Sequence, residues 1–471
     1  MSMDLCSRSA VELCSLVRQR QVSAVELLQA HLNRIEHVNP LVNAIVTLVP
    51  EHAFRLAKQI DKRIAQGNDP GILAGLPIAH KDLVETRGIR TTFGSRIFAE
   101  NFPDKDDLIV ERIVQAGGVT LGKTNTPEWG AGSQTFNEVF GRTRNPYDIA
   151  KTCGGSSGGA AVALASRMLP IADGGDLGGS LRNPAGFCNV VGFRTSAGRV
   201  PYMQTNGWFS LPVIGPMART VQDCALFLTA IARPATSVPL SLPFQDFTSG
   251  LQRDFTNVRI AVSKDFGGQL PVDPAVQKVI TDSIVALHTI GCDVHEVCPD
   301  FSGADEAFKT LRAWSMANKH RDNIRKHRDL FKDTIIWNVE QGMNLTGKDV
   351  YQAEQQRTGL FQRLQSFLQE YEFLILPVSQ VPPFDIDLEY VTRIGNVDME
   401  TYIDWMKSCY YISVTGLPAI SVPGGFTEAG LPVGIQIVGR HQEDLAVLQL
   451  AQAFESETGY WRISPKMGSQ P

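Results

Sequence analysis

The 471-residue sequence has no long run of lysine or arginine, and 44 basic against 49 acidic residues leave a net charge of −5. The electrostatic footprint that nucleic acid or an anionic membrane surface requires is therefore missing. Asp4 and Glu12 sit in an N-terminus that lacks a basic start followed by an apolar stretch, so no secretory leader is expected. No apolar run is long enough to span a bilayer. The most apolar long window, Ala160 to Ala172, is broken by Ser166 and Arg167 with Pro170 beyond, and reads as a buried helix. The eight cysteines include no C-x-x-C pair, which argues for reduced core residues rather than a zinc site or a disulfide frame. The expectation is a cytoplasmic protein with no metal, cofactor, nucleic acid or membrane partner. A homodimer is compatible with the sequence.

What is present is a composition of 43% hydrophobic and 20% charged residues, enough for a large core without staples. Residues 1 to about 70 read as helical. Ser23 is the expected N-cap of AVELLQAHLNRIEHVNP, in which Val25, Leu28, Leu32 and Ile35 recur at helical spacing, and Asn39-Pro40 is the expected stop. Leu76 to Ala79 is a short apolar stretch ending on His80-Lys81-Asp82. Leu108 to Ala116 reads as a helix closed by Gly117-Gly118, with VTLG as a strand after it. Beyond about residue 257 the pattern runs strand (VRIAVS), helix, strand (DVHEV) and a polar helical stretch over 304–370. Strands at FLILPVS, AISVPG and VGIQIVG and a closing amphipathic helix complete it. Alternating strands and helices with no linker between halves predict one α/β domain on a parallel or mixed sheet.

Three motifs compete for the chemistry. Gly117 to Thr124 matches a P-loop formally, but a P-loop runs strand, loop, helix so that the helix N-terminus faces phosphate, and here the order is reversed. G-x-S-x-G occurs around Ser156 and again around Ser157. A nucleophile elbow needs an apolar strand leading in and a partner histidine, yet NPYDIAKTC is turn-like and His288, His295, His320, His327 and His441 lie in unremarkable settings. The third reading joins the two glycine-serine clusters. Gly178-Gly179-Ser180 presents small residues whose backbone N–H groups can surround a carbonyl oxygen, with a hydroxyl at the end of the same loop. Ser156 could relay its proton, and Lys81 could accept it if buried and neutral. Moving a lysine pKa from about 10.4 to about 7.5 costs about 4 kcal/mol, within reach of desolvation. The residues alone leave open that both clusters are plain turns and Lys81 a surface side chain.

These segments resemble the amidase signature family, whose hallmark is GGSSGG, an apolar helix, then G-(T/S)-D-x-GGS-(I/L)-R-x-P-A-x-x-C-G-x-x-G. Here Gly154 to Gly159 and GGDLGGSLRNPAGFCNVVGF match it, as do GLPIAHKDLVETRGIRTTFGS, GKTNTPEWGAGSQTFNEVFGRTRNPYD, GLPAISVPGGF and GLPVGIQIVGR. The resemblance implies a single domain over 1–471, a mixed sheet covered by helices on both faces. Within it fall a helical segment 1–70, a signature core 71–240 and a helical insertion 300–370. It further implies a Ser-Ser-Lys triad in an acyl-transfer amidase needing only a small amide and water. Ser180 would be the nucleophile, Ser156 the shuttle on a cis peptide, and Lys81 the base. Backbone groups of Leu177, Gly178, Gly179 and Ser180 would bind the oxyanion, and Gly130 and Ala131 would border the substrate. Ser157 would bond Lys81, Asp176 would orient the loop, and Arg182 would pair a buried acid. Gly175, His80, Cys153 and Asn189 depart from the usual pattern without removing a catalytic atom.

Within the family the alternative is the glutaminase subunit of a tRNA-dependent amidotransferase, which holds an α-amino group with an acid just before the segment matching SVTGLP. Trp405 to Thr415 contains no acid, and Asp404 is the nearest. Trp405, Cys409, Tyr410, Tyr411, Trp129, Phe136, Trp208 and Phe209 suggest an apolar pocket wall. The expected substrates are uncharged aryl or alkyl amides, with esters, anilides and carbamates sharing the chemistry. Membrane-associated fatty-amide hydrolysis and a non-catalytic binding role are the weaker readings.

Overall fold

Successive side chains of a strand point to opposite faces, so apolar runs such as FLILP require a sheet with two faces to bury, and the computed structural model, which describes residues 4–203 and 206–467, has one. In chain order the first strands are β1 (Ile45–Leu48), β2 (Pro77–Lys81) and β3 (Val119–Thr124). They form a small sheet in the order β1-β3-β2, with β2 parallel and β1 antiparallel to β3. The main sheet has eight strands: β4 (Ile171–Asp176), β5 (Val191–Arg194), β6 (Val213–Ala218), β7 (Arg259–Val262), β8 (Asp293–Glu296), β9 (Phe373–Pro377), β10 (Ala419–Phe426) and β11 (Pro432–Val438). Their order is β8-β7-β9-β11-β10-β5-β6-β4. Only the β8-β7 and β7-β9 pairs are parallel, so the sheet is mixed.

Ile260, Val262, Phe373 and Ile375 enter one core; Ala261, Leu374 and Leu376, the residues between them, enter the other. The first core is closed by helices α1 (Ala10–Arg18), α2 (Ala24–Val42), α3 (Pro50–Ala65), α4 (Leu108–Gln115), α5 (Gly158–Ala165), α7 (Val221–Ile231), α8 (Pro274–Thr289) and α13 (Asp444–Thr458), α6 (Arg182–Phe187) being a short turn inside the signature. The second is closed by α9 (Ala304–His327), α11 (Gly347–Glu370) and α12 (Lys407–Thr415), with α10 (Asp333–Met343) packed on α9. This is the expected α/β domain with helices on both faces. No helix among the described residues is long and apolar enough to cross a membrane.

Three local expectations change. The segment 1–70 is not wholly helical, since Ile45–Leu48 is strand β1, paired to β3. Ser23 caps α2 as read, accepting the Glu26 N–H in a capping box, but the helix runs through Pro40 to Val42. Asn43 ends it in the left-handed region, and the Asn39 side chain accepts the Ala44 and Ile45 N–H groups, so one lost helical bond near the end is tolerated. The apolar window 160–172 is not one helix. It breaks at Arg167 (φ 60°) and resumes as β4, because Pro170 cannot continue a helix, and the apolar residues on both sides of the break fill the first core.

β2 and β4 belong to separate hydrogen-bonded sheets, and a side chain joins them. The Asp173 carboxylate on β4 accepts the Lys81 N–H at 2.8 Å, and His80 Nδ1 lies 2.5 Å from it. His80, the departure from the aliphatic residue usual there, is fully buried, with Nε2 2.9 Å from Thr120 Oγ1 on β3. A buried carboxylate thus stands in for a ladder bond and fixes the strand that carries Lys81.

Candidate active site

Lys81 is the last residue of β2, Ser156 and Ser157 precede the N-terminus of α5, and Ser180 follows β4 by four residues. The fold brings them together. Lys81, Ser156 and Ser180 line one cavity of about 160 Å³, with Leu83, Val84, Trp129, Gly130, Ala131, Tyr202, Ile214 and Phe308 among the wall residues. Lys81 is 2% exposed; its Nζ lies 2.7 Å from Ser156 Oγ and 3.0 Å from Ser157 Oγ. Burial pushes its pKa down to about 7, against the upward pull of the Asp176 and Asp173 charges. Burial thus favours the neutral amine, to which Ser156 can donate its hydroxyl proton.

The loop carrying Ser156 is held by its carbonyls: Ser133 Oγ donates to Gly155 O at 2.7 Å and Thr135 Oγ1 to Gly154 O at 2.8 Å. The Gly155–Ser156 peptide bond is cis. Two glycines are demanded by close approach. A Cβ on Gly130 (φ +70°) would stand 3.2 Å from Ser156 Oγ, and one on Gly174 would stand 2.6 Å from Ser157 Oγ. Gly175, by contrast, leaves a Cβ no contact shorter than 3.6 Å, so the departure from Thr or Ser there is sterically free.

The oxyanion expectation needs one amendment. The Gly179 N–H donates to Asp176 Oδ1 at 2.8 Å and is committed to the loop. Those of Leu177, Gly178 and Ser180 donate to no acceptor among the described residues. Gly130 and Ala131 form cavity wall, but their N–H groups close a tight turn on Pro127 O and Glu128 O.

Behind the loop the hydrogen-bonding groups of Asp176 and Arg182 are matched. Asp176 accepts from Gly179 and Leu181 N–H and from Arg182 Nε and Nη2, with Arg194 Nη1 3.3 Å away. Burial alone would raise its pKa, but the two guanidiniums hold it well below the usual carboxylate range. Arg182 spends its remaining donors on Cys409 O, Gln436 Oε1 and Ser413 Oγ.

The rival motifs have other duties. Lys123, in the P-loop match, is buried in the central strand of the small sheet and donates to Val84 O and Thr86 Oγ1. No histidine lines the cavity among the described residues, and a polar hairpin (144–145 with 148–152) leads into GGSSGG. No group of three or more His, Cys, Asp or Glu side chains among the described residues could hold a metal ion.

Sequence reasoning placed the aromatic wall only in part. Trp129 lines the cavity; Phe136 lines a separate cleft, Trp208 is 74% exposed, and Phe209, Trp405, Tyr410 and Tyr411 belong to the second core. The other aromatic wall residues are Tyr202 and Phe308. Arg312, Met316, Ile403 and Met406 complete that side and were not foreseen. Phe308, Arg312 and Met316 fall at every fourth residue of α9, a spacing that one helical face would have betrayed.

The family described as Amidase matches residues 26–448. The chain belongs to the amidase signature family. Among curated relatives, a glutamyl-tRNA(Gln) amidotransferase subunit of Carboxydothermus hydrogenoformans is 33% identical over 487 residues, covering 99% of this chain and all of that one. An acylamidase of Rhodococcus erythropolis is also 33% identical, over 95% of each chain. Among solved structures, a bacterial aryl acylamidase of the same family superposes with a TM-score of 0.92 at 27% identity, covering 98% of this chain and 99% of that one. Amidase signature relatives thus include both acylamidases and components of an amidotransferase. Sequence identity does not separate the two.

Proposed function

We propose that this amidase-family protein is a free-standing amidohydrolase that cleaves small amides through an acyl-enzyme on Ser180. The observation that carries the reading is Lys81 Nζ, buried and 2.7 Å from Ser156 Oγ, in the cavity that Ser180 lines. Ser180 Oγ attacks the substrate carbonyl and passes its proton to Ser156 as Ser156 passes its own to neutral Lys81. The unpaired N–H groups of Leu177, Gly178 and Ser180 are the donors for the oxyanion. The same relay run backwards protonates the departing amine, and water then repeats the sequence to release the acid. Esters and carbamates fit the same chemistry.

Asp404 favours this reading over the glutaminase component of an amidotransferase. Its carboxylate lies 2.7 Å from Lys309 Nζ and 3.7 Å from Lys407 Nζ, and Ile403 and Met406 face the cavity in its place. A carboxylate held with Asp305 in an ion-pair cluster with these two lysines is not available to hold a substrate ammonium. The test is to offer the purified chain, without other subunits, 4-nitroacetanilide and L-glutamine. Release of nitroaniline and no ammonia from glutamine is expected. Glutamine-dependent ammonia release that needs added amidotransferase subunits, with no anilide cleavage, would reverse the assignment.

A further inference from the structure

Arg312 lines the cavity, and no carboxylate among the described residues lies within ion-pair distance of it. It sits on α9 between Phe308 and Met316, at every fourth residue, so all three stand on the helix face that walls the cavity. It is 7% exposed. Nη2 donates to Tyr402 Oη at 2.6 Å and the guanidinium lies 5.3 Å from that ring's centroid, both neutral partners. Nη1 has no acceptor, and no carboxylate comes within ion-pair distance among the described residues. Of the other charged lining residues, Asp176 is held by Arg182 and Arg194, whereas Asp107, an acid, has a neutral partner in the Glu85 N–H at 2.8 Å.

A guanidinium keeps its proton, so it cannot escape burial by neutralising as Lys81 does. A buried charge without a partner is costly, and such a residue persists where a ligand completes it. The neighbouring Phe308 touches the oxyanion loop, since a Cβ on Gly178 would lie 2.7 Å from its Cζ. Arg312 is one turn further on, about 6 Å along the helix axis. The geometry points to Arg312 as the residue that receives a carboxylate of the substrate, borne a few bonds from the scissile carbonyl. The substrate class is then a small amide carrying a carboxylate, which replaces the uncharged amides expected from the sequence. This assignment rests on the amidase reading of the cavity, but its binding arm can be read without turnover.

Calorimetry on Ser180→Ala protein would compare 3-phenylpropionate and 4-phenylbutyrate with their primary amides. At least one carboxylate should bind about tenfold or more tighter than its amide, a preference lost in Ser180→Ala/Arg312→Leu and partly kept with Arg312→Lys. Amides binding as well as carboxylates in both pairs, or a preference that survives the loss of Arg312, would overturn the assignment. Turnover of succinanilic acid against butyranilide, and of 4-acetamidobenzoate against 4-methylacetanilide, is the second arm. In one pair the kcat/KM ratio should favour the carboxylate and collapse about tenfold or more in Arg312→Leu and in Arg312→Gln. Carboxylate binding that depends on Arg312 with no anilide cleaved would uphold Arg312 and refute the amidase reading. Cleavage with no carboxylate preference would do the reverse.

Discussion

The two walls of the cavity follow opposite rules. On the signature side, built from β2, β4 and the GGSSGG loop, Lys81 touches two hydroxyls and Asp176 answers two arginines. On the α9 side, Phe308, Met316, Ile403 and Met406 are apolar and Arg312 stands unmatched among them. One wall fixes its reacting side chains without a ligand and leaves the N–H groups of Leu177, Gly178 and Ser180 open for an oxyanion. The other is incomplete without a ligand and is where selectivity resides.

Breaking the signature wall should be expensive for catalysis first. Lys81→Ala should lower amide kcat/KM by about a thousandfold or more, and ester kcat/KM by clearly less, because an alkoxide leaving group needs its proton less than an amine does. Equal losses on both substrates in steady-state assays would exclude the relay. Next comes stability. Asp176→Asn strips the charge from between Arg182 and Arg194 and should cost about 3–5 kcal/mol in urea unfolding. Arg312→Leu, on the other wall, should change unfolding stability by less than about 1 kcal/mol, since only one hydrogen bond to Tyr402 is lost while a lone buried charge is removed. Similar costs at the two arginine-bearing sites would erase the contrast.

A smaller effect lies in the pH profile. Lys81 must be neutral to accept a proton, so kcat/KM should fall on the acid side with an apparent pKa near the value of about 7. Asp173→Asn removes one of the two charges that pull this value up and should move the acid limb to lower pH. A limb that stays or moves upward would show that Asp173 does not act on Lys81. The same group makes stability rise with pH. Its folded pKa is depressed, so the unfolded chain binds the proton more tightly, and the burial penalty fades as pH climbs from about 7 towards about 10.4. The smallest effect is expected at Gly175. Gly175→Ser should change stability by less than about 0.5 kcal/mol, because a Cβ there meets nothing closer than 3.6 Å.

The signature wall was legible in the sequence because its demands are local. Glycines that admit no Cβ, serines at fixed places in glycine loops and a lysine ending an apolar strand leave a linear pattern. So did five strands of the main sheet, in VRIAVS, DVHEV, FLILPVS, AISVPG and VGIQIVG, whereas β4, β5 and β6 were not read, β4 beginning inside the window expected to be helical. The α9 wall left little trace. Arg312 lies in a polar helical stretch, and only its spacing from Phe308 and Met316 separates it from a solvated charge. His80 was legible as a departure from the family pattern, but its partnership with Asp173 joins residues 93 apart and needed the fold. Pro40 misled for a related reason: the Asn39 side chain takes over the end of the helix, which propensity alone does not reveal.

The central claim is that Ser180 carries the acyl group. The most direct measurement is mass spectrometry of the peptides recovered after the purified protein reacts with a serine-directed fluorophosphonate, alongside amide hydrolysis by Ser180→Ala protein. The expected result is a single adduct on the peptide containing Ser180, its absence from the variant, and amide hydrolysis reduced to background. An adduct on Ser156 or Ser157 instead, or a Ser180→Ala protein that still hydrolyses amides, would contradict it.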